Sequence, residues 1–238
     1  MFQLSIVHCH TFPPISNRPA LFGGKLPTGD VQGTGTVAAN VTVSGGTLTV
    51  GGNLGEGAGG ASVTSVLTVS GGTLDMTHGS IAVDTVNFTS GTLKNVASFS
   101  AGTSGGLNVQ NDSTLSYDLD GSFTSLALTG TLTLGGSSNL QLALAAGYVP
   151  TGGFTLVAND GSDSIVGTFA TINGGSFGPG NTFTLSNNTG SYVFTLDYAG
   201  GTGNDLVAQY SAVPEPSVCA VLAGLCGLGV VLLRRRRH

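Results

Sequence analysis

Chemistry in this chain has to come from a short set of side chains. GGTGNDLV (200–207) fits the nonapeptide G-G-x-G-x-D-x-U-x, whose successive copies hold calcium between the turns of a parallel β-roll. Calcium takes about six to eight oxygens, drawn there from consecutive turns. One copy supplies half a site, so Asp205 is a weak calcium candidate, and a tight glycine turn with Asp205 bonded to the backbone is the expectation. Asp118 and Asp120 in YDLDGS, and Asp160 and Asp163 in NDGSDS, are paired acids in loops. Neither pair has calcium-hand spacing, since the twelfth position counted from Asp118 is Thr129 rather than a glutamate. They read as solvated turns. His78, beside Gly79, is the only histidine between His10 and His238, which leaves no paired-imidazole metal site and no Ser-His-Asp constellation. It is expected at the surface. A glycosidase needs only two carboxylates, but no spacing singles out a pair. No catalytic residue, metal or cofactor is therefore assigned.

The remaining stretch with chemical content is the C-terminal one, VPEPSVCAVLAGLCGLGVVLLRRRRH (213–238). Residues 217–233 form an uncharged, mostly apolar run of 17, the short end of a membrane-spanning helix. Arg234, Arg235, Arg236 and Arg237 follow at once. Guanidinium groups are costly in hydrocarbon, so they act as a membrane stop and hold the C-terminus on the cytoplasmic side. Pro214 and Pro216 bar helix continuation upstream and present Glu215 in an extended, accessible stretch. An accessible motif, a short span and a basic stop together make a sorting tail. The competing reading is a plain tail anchor in which Pro-Glu-Pro occurs by chance.

These residues belong to a chain of 238 with 40 glycines, no tryptophan and only 8% charged residues. Of its 7 basic residues, four are the terminal arginines, and Lys94 is the only cation between Leu26 and Leu233. Binding nucleic acid requires clustered Lys and Arg against phosphate, so that class is excluded. The same scarcity argues against a polysaccharide lyase, which takes its base from a basic side chain. Cys9 lies near the start and Cys219 and Cys226 lie in the apolar run, so the body carries no disulfide framework, thiolate metal site or cysteine nucleophile.

The body must position whatever function there is, and its pattern is repetitive. VTVSGGTLTV (41–50), LTVSGGTLDM (67–76), VNFTSGTLKN (86–95) and LALTGTLTLG (126–135) share one plan, with a weaker copy in NDSTLSYDL (111–119). An alternating apolar strand meets a glycine corner, and Thr-Leu opens a second strand. The Thr-Leu leucines fall at 48, 74, 93, 115 and 132. A period near 20 residues predicts an all-β chain, a parallel β-solenoid over residues 33–139, in which stacking turns bury Leu on Leu. An antiparallel sandwich of hairpins is the alternative. Residues 140–211 have longer alternating strands and include Phe154, Phe169, Phe183 and Phe194, which predicts an antiparallel β cap over the open last turn. GGNLGEGAGGAS (51–62) reads as an inserted loop. Residues 1–32 form an atypical N-terminus without the basic region and unbroken apolar core of a secretory signal, and the expectation is a truncated or mis-assigned start or a disordered tail.

Two resemblances follow from these motifs. SGGTLxM and the closing VGTFATINGG and YAGGTGNDLV resemble, over residues 33–210, bacterial exported proteins with autotransporter-associated β-strand repeats, although no outer-membrane barrel follows Tyr210. Residues 213–238 resemble the PEP-CTERM sorting signal of Gram-negative bacteria, whose members are handled by exosortase, a membrane-embedded cysteine-protease-like enzyme. The resemblance implies Pro214, Glu215 and Pro216 as recognition motif (214–216), 217–233 as the span and 234–238 as the basic tail. Members normally carry an N-terminal signal peptide, and its absence here reinforces the expectation of a truncated start. The combined expectation is an exported, non-enzymatic surface or matrix protein, structural or adhesive. It is held transiently in the inner membrane, processed by an exosortase-type protease, and then associated with exopolysaccharide or other matrix components in a biofilm setting. The competing classes are a polysaccharide-active β-solenoid enzyme and a calcium-dependent surface binding module.

Overall fold

The computed structural model describes residues 3–5, 37–55, 63–102 and 105–211. Those residues form strands, turns and one short 3-10 turn (Pro179–Asn181), with no α-helix among them. The chain passes repeatedly through three sheets. After β1 (Gln3–Ser5), the first pass is β2 (Val37–Val43), β3 (Thr47–Thr49) and β4 (Leu54–Gly55). The second is β5 (Val63–Asp75) and β6 (Ser80–Val83), and the third β7 (Thr85–Lys94), β8 (Ser98–Ala101) and β9 (Leu107–Val109). The fourth is β10 (Ser113–Leu119), β11 (Leu126–Leu128) and β12 (Leu132–Leu134). The fifth is β13 (Asn139–Leu144), β14 (Phe154–Asn159) and β15 (Ile165–Val166). β16 (Thr171–Ile172) opens a partial sixth, and β17 (Thr182–Asn187), β18 (Gly190–Gly200) and β19 (Asp205–Ser211) close the molecule.

Corresponding strands of successive passes pair in parallel. The first sheet runs β1-β2-β5-β7-β10-β13-β16, with β3 also on β5, and the third runs β9-β12-β15. The second begins β4-β6-β8-β11-β14 in parallel and continues into β19, β18 and β17, which are antiparallel. This all-β arrangement of parallel sheets is compatible with a solenoid, and the parallel register rules out the hairpin sandwich for the repeat region. Gln3–Ser5, within the segment expected as a tail, pairs with Ala38–Asn40 of β2.

The core consists of columns of like residues. Leu48, Leu74, Leu93, Leu115, Leu140 and Ile172 are register partners in sequence along the first sheet. From Leu74 onward all of them are buried. Leu54, Ile81, Phe99 and Leu128 form a second column, and Leu107, Leu132 and Ile165 a third. Each such side chain contributes about 1.5–3 kcal/mol when removed from water, and one pass alone could not bury it.

Two sequence expectations change in detail. Leu132 is not the fifth residue of the Thr-Leu column; it lies in the third sheet, and Leu140 takes the place. Asn139 stands where the other passes have Thr, because its carboxamide fills the same outward position and accepts a hydrogen bond from Thr171 Oγ1. The SGG segments are also not corners between faces. β5 runs straight through Ser70-Gly71-Gly72 with a register shift against β7, so the glycines form a bulge within one sheet. Gly91 (φ 90°) nests against this bulge, where a Cβ would lie 2.4 Å from Gly72 O.

Parallel pairing continues beyond residue 140 through β13, β14, β15 and β16, and the antiparallel strands begin at Thr182. The change of texture at 140 therefore does not mark a change of pairing. Phe154, Phe169, Phe183 and Phe194 are all buried, and the Phe183 and Phe194 rings stack with centroids 5.6 Å apart.

Candidate functional site

Asp75, His78, Lys94, Asp118 and Asp120 gather at one outer edge of the first sheet. Leu74 and Leu93 point inward, so strand alternation turns the next residues, Asp75 and Lys94, outward as register partners on β5 and β7. Ser116 occupies the same position on β10, and the next outward residue, Asp118, reaches back. Lys94 Nζ lies 2.8 Å from Asp118 Oδ2 and 3.7 Å from Asp75 Oδ2. Asn95, buried and in the left-handed region (φ 50°), turns β7 out of the sheet. Its Nδ2 donates to Asp118 Oδ2 at 2.9 Å and its Oδ1 accepts from Asp118 N at 2.9 Å. The carboxamide thus replaces the strand residue that would otherwise have paired with Asp118.

Partial burial works against charge on Asp118 more than any other single influence. The hydrogen bonds from Lys94 and Asn95, with the Lys94 charge, outweigh it together and hold the carboxyl below the usual carboxylate range. For Lys94 burial likewise opposes the charge most, but Asp118 and Asp75 overcome it and push the ammonium above its ordinary value. Lys94 is therefore a cation at neutral pH and cannot serve as a general base. Asp120, held low by hydrogen bonds from Ser122, sits beside the same corner, near His78. His78 is not the plain surface residue expected. It is half-buried with φ 71°, its amide donates to Asn95 O at 2.7 Å, and its Nε2 is buried without a partner. The backbone turn at Thr77-His78, stapled by Thr77 N to Asp75 Oδ1 at 3.0 Å, carries the ring inward.

The arrangement alternates charge, Asp75, Lys94, Asp118, across three successive passes. It stitches register. Asp118 Oδ2 and both oxygens of Asp75 are engaged there, and sequence reasoning had picked out Asp118 and Lys94 without their partnership. Asp75 and Asn95 were missed, since only the stacking of one pass on the next brings residues 19 and 23 positions apart into contact.

Asp205 behaves as a turn residue. Its Oδ1 accepts from Asn159 N at 2.9 Å and its Oδ2 from Thr202 N at 3.3 Å. Asn204 Nδ2 donates to the carbonyls of Asp160 and Gly161, both at 3.1 Å, binding the turn to the loop after β14. Asp160 and Asp163 are exposed there and supply main-chain carbonyls rather than carboxylates. Among the described residues no group of three or more His, Cys, Asp or Glu could hold a metal ion.

The expected sorting motif at Pro214, Glu215 and Pro216, the span 217–233 and Arg234 to Arg237 lie outside the described residues. Among the described residues no helix is long and apolar enough to cross a membrane. The chain matches no family model, no curated protein and no solved structure at a significant level.

Proposed function

We propose that this chain is an exported, non-enzymatic surface or matrix protein: a parallel β-solenoid closed by an antiparallel cap and handed to an exosortase-type membrane protease by a C-terminal sorting tail. The observation that carries the reading is the order Pro214-Glu215-Pro216, uncharged run 217–233, Arg234 to Arg237. Through this tail the protein is held in the inner membrane and then released to, or attached at, the cell surface. The body supports a structural or adhesive role among exopolysaccharide or other matrix components. It repeats one unit along an axis, presents outward rows such as Thr47, Thr73, Thr92 and Thr114, and ties its central lysine into a structural ion pair. A polysaccharide-lyase reading would need a free base, and the protonated state of Lys94 weighs against it.

The test is the intact mass of the protein recovered from its native host beside a Glu215→Ala variant. Loss of the span and arginines from the wild type but not from the variant is the expected result. Retention of every residue to His238 in both would reduce the tail to a plain anchor and remove the reading.

A further inference from the structure

The end of the second sheet from which the tail departs has its own character. Ser211, the last residue of β19, pairs with Val193, and Tyr210 pairs with Phe194. The Tyr192 and Tyr210 rings lie 6.3 Å apart. The β17–β18 hairpin tip is bound to the loop that joins β13 to β14. Asn187 Nδ2 donates to Ala145 O at 2.6 Å and Tyr148 O at 2.7 Å, Gly147 N donates to Asn188 Oδ1 at 2.6 Å, and Thr189 Oγ1 lies 2.8 Å from Tyr192 OH. One rim of the core thus brings together Tyr148, Tyr192 and Tyr210, three of the chain's 5 tyrosines, each half-buried with its ring packed against the core. Beside them stands Val149, the most exposed large apolar side chain of the described residues at 52%. Residues 145–153, 187–193 and 209–211 contain no charged side chain.

We propose that this tyrosine and Val149 surface rests on the membrane while the tail is still attached, an inference that depends on reading 217–233 as a membrane span. Only residues 212–216 separate Ser211 from that run, a reach of no more than about 20 Å even when fully extended. The surface around Ser211 is therefore the part of the body held nearest the bilayer. Its chemistry fits the headgroup region: tyrosine places an apolar ring and a polar hydroxyl at the boundary, Val149 offers a small apolar wedge, and the carboxylate beside it, Asp197, is engaged by Gln209 Nε2 at 2.6 Å. A sugar platform is the less favoured occupant, because the Tyr192 and Tyr210 planes cross at 53° and present no common flat face.

The chain has no tryptophan, so single tryptophans report position without background. Full-length Val149→Trp, Val166→Trp and Val221→Trp are each reconstituted into vesicles of phosphatidylethanolamine and phosphatidylglycerol, with lipids brominated near the headgroup as quencher. Val166, exposed on the third sheet, is the control on the body. The expected result is a blue shift and loss of emission for Val149→Trp, quenching for Val221→Trp, and neither change for Val166→Trp. Quenching at Val221→Trp alone overturns the contact and leaves the span reading standing. No quenching at either removes both. Equal quenching at Val149→Trp and Val166→Trp overturns a specific contact, and so does a Val149→Trp emission that responds to added exopolysaccharide but not to vesicles.

Discussion

Asn173 satisfies both main-chain groups of Leu142. Its Oδ1 accepts from Leu142 N at 2.8 Å and its Nδ2 donates to Leu142 O at 3.0 Å. β16 is only two residues long, so β13 would otherwise present these groups unpaired toward the end of the stack. Asn173 (φ 50°) leaves the sheet in the left-handed region and offers a carboxamide where a peptide group would have been. Asn95 makes a related pair of bonds to Asp118, accepting from its main-chain N but donating to its side-chain carboxylate.

Asn173→Ala is expected to lower stability by about 1–3 kcal/mol, the cost of leaving such groups unsatisfied, with a further contribution from the positive φ. Asn173→Gly separates the two effects, since glycine accepts the backbone but not the bonds. Denaturant unfolding of both variants checks this, and a wild-type midpoint in Asn173→Gly would show that the bonds contribute nothing.

The Lys94–Asp118 pair gives a pH dependence with two limbs. The folded-state pKa of Asp118 is depressed, so its contribution is present above the unfolded carboxylate pKa and is lost as pH falls through the lower folded value. The folded-state pKa of Lys94 is raised, so its contribution is present below the unfolded lysine pKa and is lost as pH rises through the higher folded value. Both side chains are partly exposed, 28% and 39%, so a double-mutant cycle with Lys94→Met and Asp118→Asn should return a coupling no larger than about 1 kcal/mol at neutral pH, weakened by salt.

Truncation along the leucine column should depend on position. Leu93→Ala removes a fully buried side chain between Leu74 and Leu115, and about 2–5 kcal/mol is expected. Leu48, at the end of the column and only partly buried, should cost less. Thermal unfolding of the two variants under one set of conditions makes the comparison.

Gly91→Ala should destabilise far more than its size implies. The new Cβ would meet Gly72 O at 2.4 Å on a backbone at φ 90°, and the obstacle is main chain of the neighbouring pass. Gly121→Ala, where a Cβ meets nothing within 4 Å, is the matched control. Similar melting temperatures for the two would refute the bulge packing.

At the Asp205 turn, added calcium should leave the melting temperature unchanged, because both carboxylate oxygens already accept main-chain hydrogen bonds. Asp205→Ala should lower stability by about 1–3 kcal/mol by freeing the amides of Asn159 and Thr202. A calcium-dependent rise in the wild type that Asp205→Ala abolishes would restore the calcium site.

Much of this architecture is legible in the residues. Alternating Val and Leu strands, a Thr-Leu unit repeated near 20 residues and four C-terminal phenylalanines carry periodicity and burial, which are local and therefore visible in one dimension. The role of Asp205 was also legible, since a glycine turn followed by aspartate has a known local geometry.

What only the tertiary structure decided is which pass lies on which. Leu140 rather than Leu132 continues the column, and Asn139 stands in for threonine, because register is set by side chains filling a shared outward row and not by a fixed count of residues. The same stacking brings Asp75, Lys94, Asn95 and Asp118 to one edge and Tyr148, Tyr192 and Tyr210 to one end. Those pairings span whole turns of the chain, a distance over which hydrophobic periodicity carries no information about neighbours.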